Sequence, residues 1–324
     1  MYGFALALSS CASLDCARED VLCAGLVTDT LGIEDNGVNQ DTWLGLQDAK
    51  ASGVVDQIAY IESVDTRDYE KNIAYFAESH YDIIITSGFG MRDESYRSAS
   101  DYTDSFFIGM NQPHEKLRSN LMPVTFPEEQ MGFLAGVTAA RVSKTGSVGA
   151  VCETSGIDAM WRYCEGFRVG VKFANQNAKI YITYREDGDR EKIFVDETWG
   201  YETAQSFIKR GADVIFAAGG VTGQGALRAA DESGIQAIGA ERDQAADMKI
   251  TTNMITSIYG DARLEIQKAL QKIQGADFGG KSPSLIKFIP LDGKYPESLT
   301  RELNETALKL WSGEIRVNLP LIKP

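Results

Sequence analysis

Val21-Leu-Cys-Ala-Gly-Leu-Val-Thr28 is a continuous apolar run. It leads straight into Asp29-Thr-Leu-Gly-Ile-Glu-Asp-Asn-Gly-Val-Asn39-Gln40. A run with no apolar/polar alternation reads as a strand buried on both faces, which is the habit of parallel sheets. The polar, glycine-bearing stretch behind it reads as the loop at that strand's carboxyl end, and Asn39 is placed to cap the next helix. Helical spacing of Trp43, Leu44, Leu46 and Ala49 then marks a helix over 39–52, stopped by Gly53.

The same alternation spreads outward from this unit. Strands are expected over 54–61, 81–86 and 106–110, with a helix over 69–79. After Pro127 a long helix carries Met131, Leu134, Ala135 and Thr138. A second series follows, with strands over 147–151, 180–184, 213–217 and 236–239 and helices over 159–174, 201–209 and 223–233. A last helix is expected over 258–273, before Gly275. Alternating strands and helices imply parallel sheets covered on both faces. Two such series, with no Pro- or Ser-rich linker, imply two similar α/β lobes joined by crossing strands, a hinge architecture with ligand between the lobes.

Composition agrees. With 324 residues, 44% apolar and 24% charged, the chain is ordinary globular protein, longer than one compact domain needs. A net charge of -14 argues against a nucleic-acid partner, because a phosphate backbone demands clustered Lys and Arg. No apolar run approaches the roughly 20 residues of a membrane-spanning helix. His80 and His114 are too few for a His-rich metal site, lie in no catalytic motif, and read as ordinary surface or loop residues. No metal cluster, Ser/His/Asp arrangement or lysine nucleophile emerges, so no metal and no cofactor is expected.

The start ends an apolar leader with Leu8-Ser9-Ser10-Cys11, the form of a bacterial lipobox whose Cys receives the lipid. An acylated Cys11 would tether the chain to a membrane without a spanning helix. Cys16, Cys23, Cys152 and Cys164 form no C-x-x-C pair and no zinc-ligand spacing. Cys152 and Cys164 are candidates for a disulfide, with buried free thiols the alternative.

Ligands of open parallel sheets bind beyond the strands' carboxyl ends. There the chain places Asp29, Asn39 and Gln40, then Gly88 and Phe89, then Asn111. In the second series it places Trp161, Phe194, Trp199, Gly220, Glu241 and Asp243. Flat rings beside carboxylates and amides suit a sugar, a nucleobase or a flavin-like ring. Gly219 to Gly225 is neither a Walker loop nor a dinucleotide fingerprint. Close backbone approach or a tight turn is the better reading than phosphate binding.

These loops resemble the basic membrane protein (BMP) family of substrate-binding lipoproteins, which includes purine-nucleoside receptors of ABC importers. The likeness lies in Gly25-Leu-Val-Thr-Asp29 with Ile33-Glu-Asp35-Asn-Gly-Val-Asn39-Gln40, in Gly132-Phe-Leu-Ala-Gly136, and in the block 194–203. It continues through Ala218-Gly-Gly with Gly223-Gln-Gly225, Ile238-Gly239-Ala-Glu241-Arg-Asp243-Gln244, and the ending Trp311-Ser-Gly-Glu-Ile-Arg-Val. The resemblance implies a type I periplasmic-binding-protein fold of two Rossmann-like lobes with ligand in the interlobe cleft, bound by hinge closure. The lobes would be 21–126 plus 253–283 and 127–252 plus 284–324, behind a tether over 1–20.

It further implies a non-enzymatic, extracytoplasmic receptor, lipid-anchored to the membrane, that works with importer permease subunits. Carried over by position, its contacts are Asp29, Asn39, Gly88, Phe194 and Glu241. Four positions depart from the family pattern: Val38 stands for Phe, Glu241 for Asp, Asn111 for Asp, and Thr256 for Lys. On this reading Trp161 or Trp199 replaces the lost ring. The alternatives are a sugar or flavin receptor, a membrane-linked sensor of the same fold, or a nucleoside or sugar hydrolase using Asp29 and Asp35.

Overall fold

The computed structural model describes residues 15–249, 253–291 and 293–323. Cys11 lies outside the described residues. The described residues form two sheets. The first is built from β1 (Cys23–Thr28), β2 (Gln57–Glu62), β3 (Ile83–Ser87), β4 (Phe106–Met110) and β5 (Leu121–Thr125). Helices α1 (Val38–Ala51), α2 (Tyr69–Glu78) and α3 (Arg92–Asp101) connect them. The second part opens with α4 (Glu128–Val142), β6 (Ser147–Val151), α5 (Asp158–Ala174), β7 (Lys179–Thr183) and α6 (Glu197–Lys209). It continues with β8 (Val214–Ala217), α7 (Gly220–Glu232), β9 (Gln236–Ala240), α8 (Gln244–Met248) and β10 (Met254–Gly260). The chain ends with α9 (Ala262–Gln274), β11 (Ser282–Pro283), β12 (Ile286–Phe288) and α10 (Glu297–Trp311).

Both sheets repeat one topology, β11-β5-β4-β3-β1-β2 and β12-β10-β9-β8-β6-β7. Strands β1 to β5 pair in parallel, as do β6 to β10, and β12 runs antiparallel to β10 at an edge. Every residue of β1, β3 and β6 is buried, as a sheet covered on both faces requires. The expected α/β class with parallel sheets is what the chain adopts.

The described residues cluster into two units. One holds 15–33, 42–124 and 263–282; the other holds 34–41, 125–262 and 283–323. This division differs from the expected one at 34–41 and 253–262. β10 pairs with β9, which carries 253–262 into the second unit. The stretch 34–41 also joins it, where the Arg242 guanidinium donates to Gln40 Oε1 and lies 3.4 Å from Asp41 Oδ1. The helix expected over 258–273 is in fact the end of strand β10 followed by α9.

Small residues set the closest helix contacts. A Cβ on Gly132 would lie 2.1 Å from the Tyr163 carbonyl oxygen, and one on Gly170 would lie 2.0 Å from that of Phe133, so α4 and α5 pack backbone to backbone. Among the described residues two disulfides are present, Cys16–Cys23 and Cys152–Cys164. The second resolves the alternatives for that pair. His80 is an exposed turn residue. His114 is in a loop as expected, but buried, stacked on Tyr96 with ring centroids 5.6 Å apart. Among the described residues no helix is long and apolar enough to cross a membrane.

Candidate functional site

A strand order of 2-1-3 makes the chain leave β1 and β3 in opposite directions, and a crevice opens between their carboxyl ends. In the first unit Asp29 and Ser87-Gly88 stand there. The Asp29 N–H donates to the Ser87 carbonyl at 3.1 Å, and Asp29 Oδ1 accepts from the Leu31 N–H at 3.1 Å. Gly88 has φ +110, and a Cβ on it would lie 2.2 Å from Asp29 Oδ2. Glycine is thus required twice, by the left-handed backbone and by the carboxylate passing over it. Tyr69 registers that charge: burial first, then Asp29, pushes its hydroxyl up to about 12.

Gln112 fixes this end from below. Its Nε2 donates to the carbonyls of Thr86 at 3.1 Å and Gly88 at 3.0 Å. Asn111, directly after β4, is half-buried with φ +57. Phe89 is 49% exposed and opens a short 3-10 turn directly after Gly88. The Ser87 hydroxyl is buried with no hydrogen-bond partner among the described residues.

The second unit repeats the device at β6 and β8. Glu153 (φ +52) follows β6, and Gly219 (φ +110) follows β8. A Cβ on Gly219 would lie 2.9 Å from Glu153 Cβ. Glu241 (φ +72) follows β9, as Asn111 follows β4. Its Oε2 accepts the N–H of Gly219 at 3.3 Å and of Gly220 at 3.1 Å. Burial raises the Glu241 carboxyl above its ordinary range, and those two N–H groups pull it back down.

Glu153 is fully buried against Arg185, whose Nη2 and Nε lie 2.6 and 2.8 Å from Oε1. Burial raises its carboxyl despite Thr222 and Arg185. The Phe194 carbonyl (φ +66) accepts the Thr222 N–H at 3.3 Å.

The remaining expected residues divide. Trp161 lies in the first turn of α5, 9% exposed, its indole N–H without a partner among the described residues and Lys323 5.3 Å over its ring. Asn39 is fully buried in the first turn of α1, and its N–H donates to Asp35 Oδ2 at 3.1 Å. Asp35, not Asn39, is therefore the side chain seen capping that turn; its Oδ1 also accepts from Gly37 at 2.9 Å and Gln40 at 3.0 Å. The Gln40 side-chain oxygen accepts from Arg242. Asp243 Oδ1 accepts the Ala246 N–H at 3.3 Å at the start of α8. Trp199, read as a loop ring, lies on α6 and packs on the second core.

The glycine-rich stretch is mostly helix. Gly223 and Gly225 lie within α7, and Gly225 faces the Glu197 carbonyl. Close approach, not a phosphate cradle, explains those two residues.

Sequence reasoning missed Ser87, Gln112, Arg185 and Arg242. One signal was available for Arg185. Val151 pairs with Thr183, so Glu153 and Arg185 stand two residues past the ends of adjacent parallel strands with opposite charge. No group of three or more His, Cys, Asp or Glu among the described residues could hold a metal ion.

Comparisons with known proteins agree with this geometry. A family model, Bmp, described as ABC transporter substrate-binding protein PnrA-like, matches residues 24–281. The chain is 32% identical over 273 residues to a CD4+ T-cell-stimulating antigen of Listeria innocua, covering 79% of this chain and 74% of that protein. It is 27% identical over 238 residues to the ABC transporter nucleoside-binding protein BmpA of Lactococcus lactis, covering 69% and 64%. In fold it is similar to an ABC transporter solute-binding protein from Aeropyrum pernix K1, with TM-score 0.77, 20% identity and coverage of 93% and 94%.

Proposed function

The chain belongs to the Bmp family of PnrA-like ABC transporter substrate-binding proteins, and from that premise we propose that it is the receptor for a nucleoside or a similar ring-and-polyol ligand. A protein of this family is a binding component of a transporter and not an enzyme. Its carboxylates are therefore read as ligand contacts, not as an acid/base pair. The ligand would pass to the permease subunits of an importer.

One observation carries the ligand class. Each unit sets an acidic residue beside a left-handed glycine at its strand ends, Asp29 with Gly88 and Glu241 with Gly219 and Gly220. Carboxylate oxygens accept hydrogen bonds from the hydroxyls of a polyol. A flat base needs an aromatic face, and Phe89 offers a half-exposed one at the same strand ends. The name of the Lactococcus relative points the same way.

The residues proposed as contacts are Asp29, Asn39, Gly88, Phe89, Asn111, Trp161, Phe194, Gly220 and Glu241. Gln40, Trp199 and Asp243 are assigned to support, since each is engaged within the protein. Two disulfides fit an oxidising, extracytoplasmic setting. Acylation at Cys11 would hold the protein at the membrane.

A thermal-shift panel of purine and pyrimidine nucleosides, free bases, pentoses, hexoses and riboflavin tests the reading. Ligand at 100 times its dissociation constant adds about 2.7 kcal/mol of stability. Stabilisation by nucleosides with no turnover is expected. A response to sugars or riboflavin alone would overturn the nucleoside assignment and keep the receptor.

A further inference from the structure

We propose that Glu241 makes the site selective against phosphorylated ligands, by seating its own carboxylate on a backbone anion nest at the start of α7. The inference rests on the receptor reading only in taking the ends of β8 and β9 as the face that meets ligand.

The nest is set by backbone geometry. Gly219 and Gly220 both have positive φ, +110 and +56, and their consecutive N–H groups converge on one point. That point is also the N-terminus of a 13-residue helix, whose first N–H groups have no intrahelical acceptor and whose dipole favours negative charge. Gly219, at the helix N-cap position, has no side chain to offer those N–H groups. A convergent pair of N–H groups at such a helix start is a ready seat for a phosphate oxygen.

Here the seat is taken. Glu241 Oε2 receives both N–H groups. The residue does so from a left-handed backbone (φ +72), a conformation unfavourable for a non-glycine residue. Glu153 stands beside the same glycine, its Cβ 2.9 Å from where a Gly219 Cβ would be. An arriving phosphate would meet the Glu241 carboxylate and no unoccupied donor pair. A neutral polyol would not, and no described residue donates to Glu241 Oε1, which is left to accept a ligand hydroxyl.

The test is a gain of binding. Full-length wild type, Glu241→Gly and Glu241→Gln are compared for inorganic phosphate binding by equilibrium dialysis, with melting curves in phosphate and chloride at matched ionic strength. Glycine suits φ +72 and empties the nest. Glutamine keeps an oxygen on the two N–H groups without the charge. Glu241→Asn, one methylene shorter and also tolerant of left-handed φ, replaces the glycine variant should that fail to fold.

The emptied variant is expected to bind phosphate saturably, about tenfold or more tighter than wild type. The glutamine variant is expected to stay near wild type, because its nest remains filled. Equal phosphate response in wild type and the emptied variant would overturn the proposal, as would strong phosphate binding by wild type itself. A wild type indifferent to every nucleoside would sink the ligand assignment and leave this comparison intact.

Discussion

Glu128 sits in the first turn of α4, 5% exposed, with Arg162 Nε 3.5 Å from its Oε2. Arg162 is shared. It also pairs with Glu129 and lies 3.8 Å from Asp158 Oδ2, so Glu128 receives only part of its charge. Burial therefore dominates and lifts the Glu128 carboxyl from 4.5 to about 7, against the opposing pull of Arg162. The raised value means the folded protein holds a proton that the unfolded chain has released. Its contribution to stability is full below about pH 4.5 and is lost as pH rises through about 7.

Glu128→Gln keeps the shape and removes the titration. At about 1.36 kcal/mol per pK unit, the variant gains at most about 3 kcal/mol over wild type by pH 8, and only about 1 kcal/mol at pH 5. Urea unfolding followed by tryptophan fluorescence reads this directly, because Trp161, Trp199 and Trp311 all belong to the second unit. A gap that does not widen between the two pH values would refute the reasoning. So would a variant less stable than wild type at pH 8, for then the ion pair with Arg162 outweighs burial.

Gly88→Ala should lose about 1–3 kcal/mol from the strained φ alone, and more from the displaced Asp29 carboxylate. Its melting temperature and its response to nucleosides should fall together. Arg185→Met leaves Glu153 charged and uncompensated in the interior, a loss of about 3–5 kcal/mol, whereas pairing it with Glu153→Gln should recover most of that in a double-mutant cycle. Cys152 and Cys164 are both fully buried, so native alkylation after mild reductant should leave them unlabelled. Replacing both with Ser, which opens a link across a separation of 12 residues, should cost about 2–4 kcal/mol in urea unfolding. The proposed contacts predict that Asp29→Ala and Phe194→Ala each weaken nucleoside binding in titration calorimetry. Unchanged affinity for either removes that residue from the proposed site.

The elements legible in sequence are those whose burial is nearly uniform. Strands 106–110 and 147–151 were read with the bounds they have, because a strand buried on both faces is apolar throughout. Elements with weak or conflicting patterns escaped. The helix Arg92–Asp101 carries mostly polar residues and buries only Glu94, Ser95, Ser98 and Ala99, so it has no apolar stripe to detect. Strand β5 contains Pro123, which argues against a central strand, yet it pairs with β4 along its length. Residues 258–260 continue a helical spacing that runs through α9, but all three pair with β12 and Ile258 also pairs with β9. Hydrogen bonding to neighbours outweighed local pattern there.

By itself the sequence determined the α/β class, the repeat of one pattern in two halves, and which loops stand at the strand ends. Each of these follows from local periodicity and from chain order. Tertiary structure decided what the loop residues do. Glu241 reaches the N–H groups of Gly219 and Gly220, about twenty residues earlier, and Glu153 meets Arg185 across a separation of 32. Gln40 meets Arg242 across a separation of 202. A polar side chain at a strand end has many possible partners, and nothing in its own neighbourhood ranks them. Strand order and register, set by packing of the whole sheet, bring together one carboxylate and one pair of N–H groups, and so turn a string of polar loops into a site.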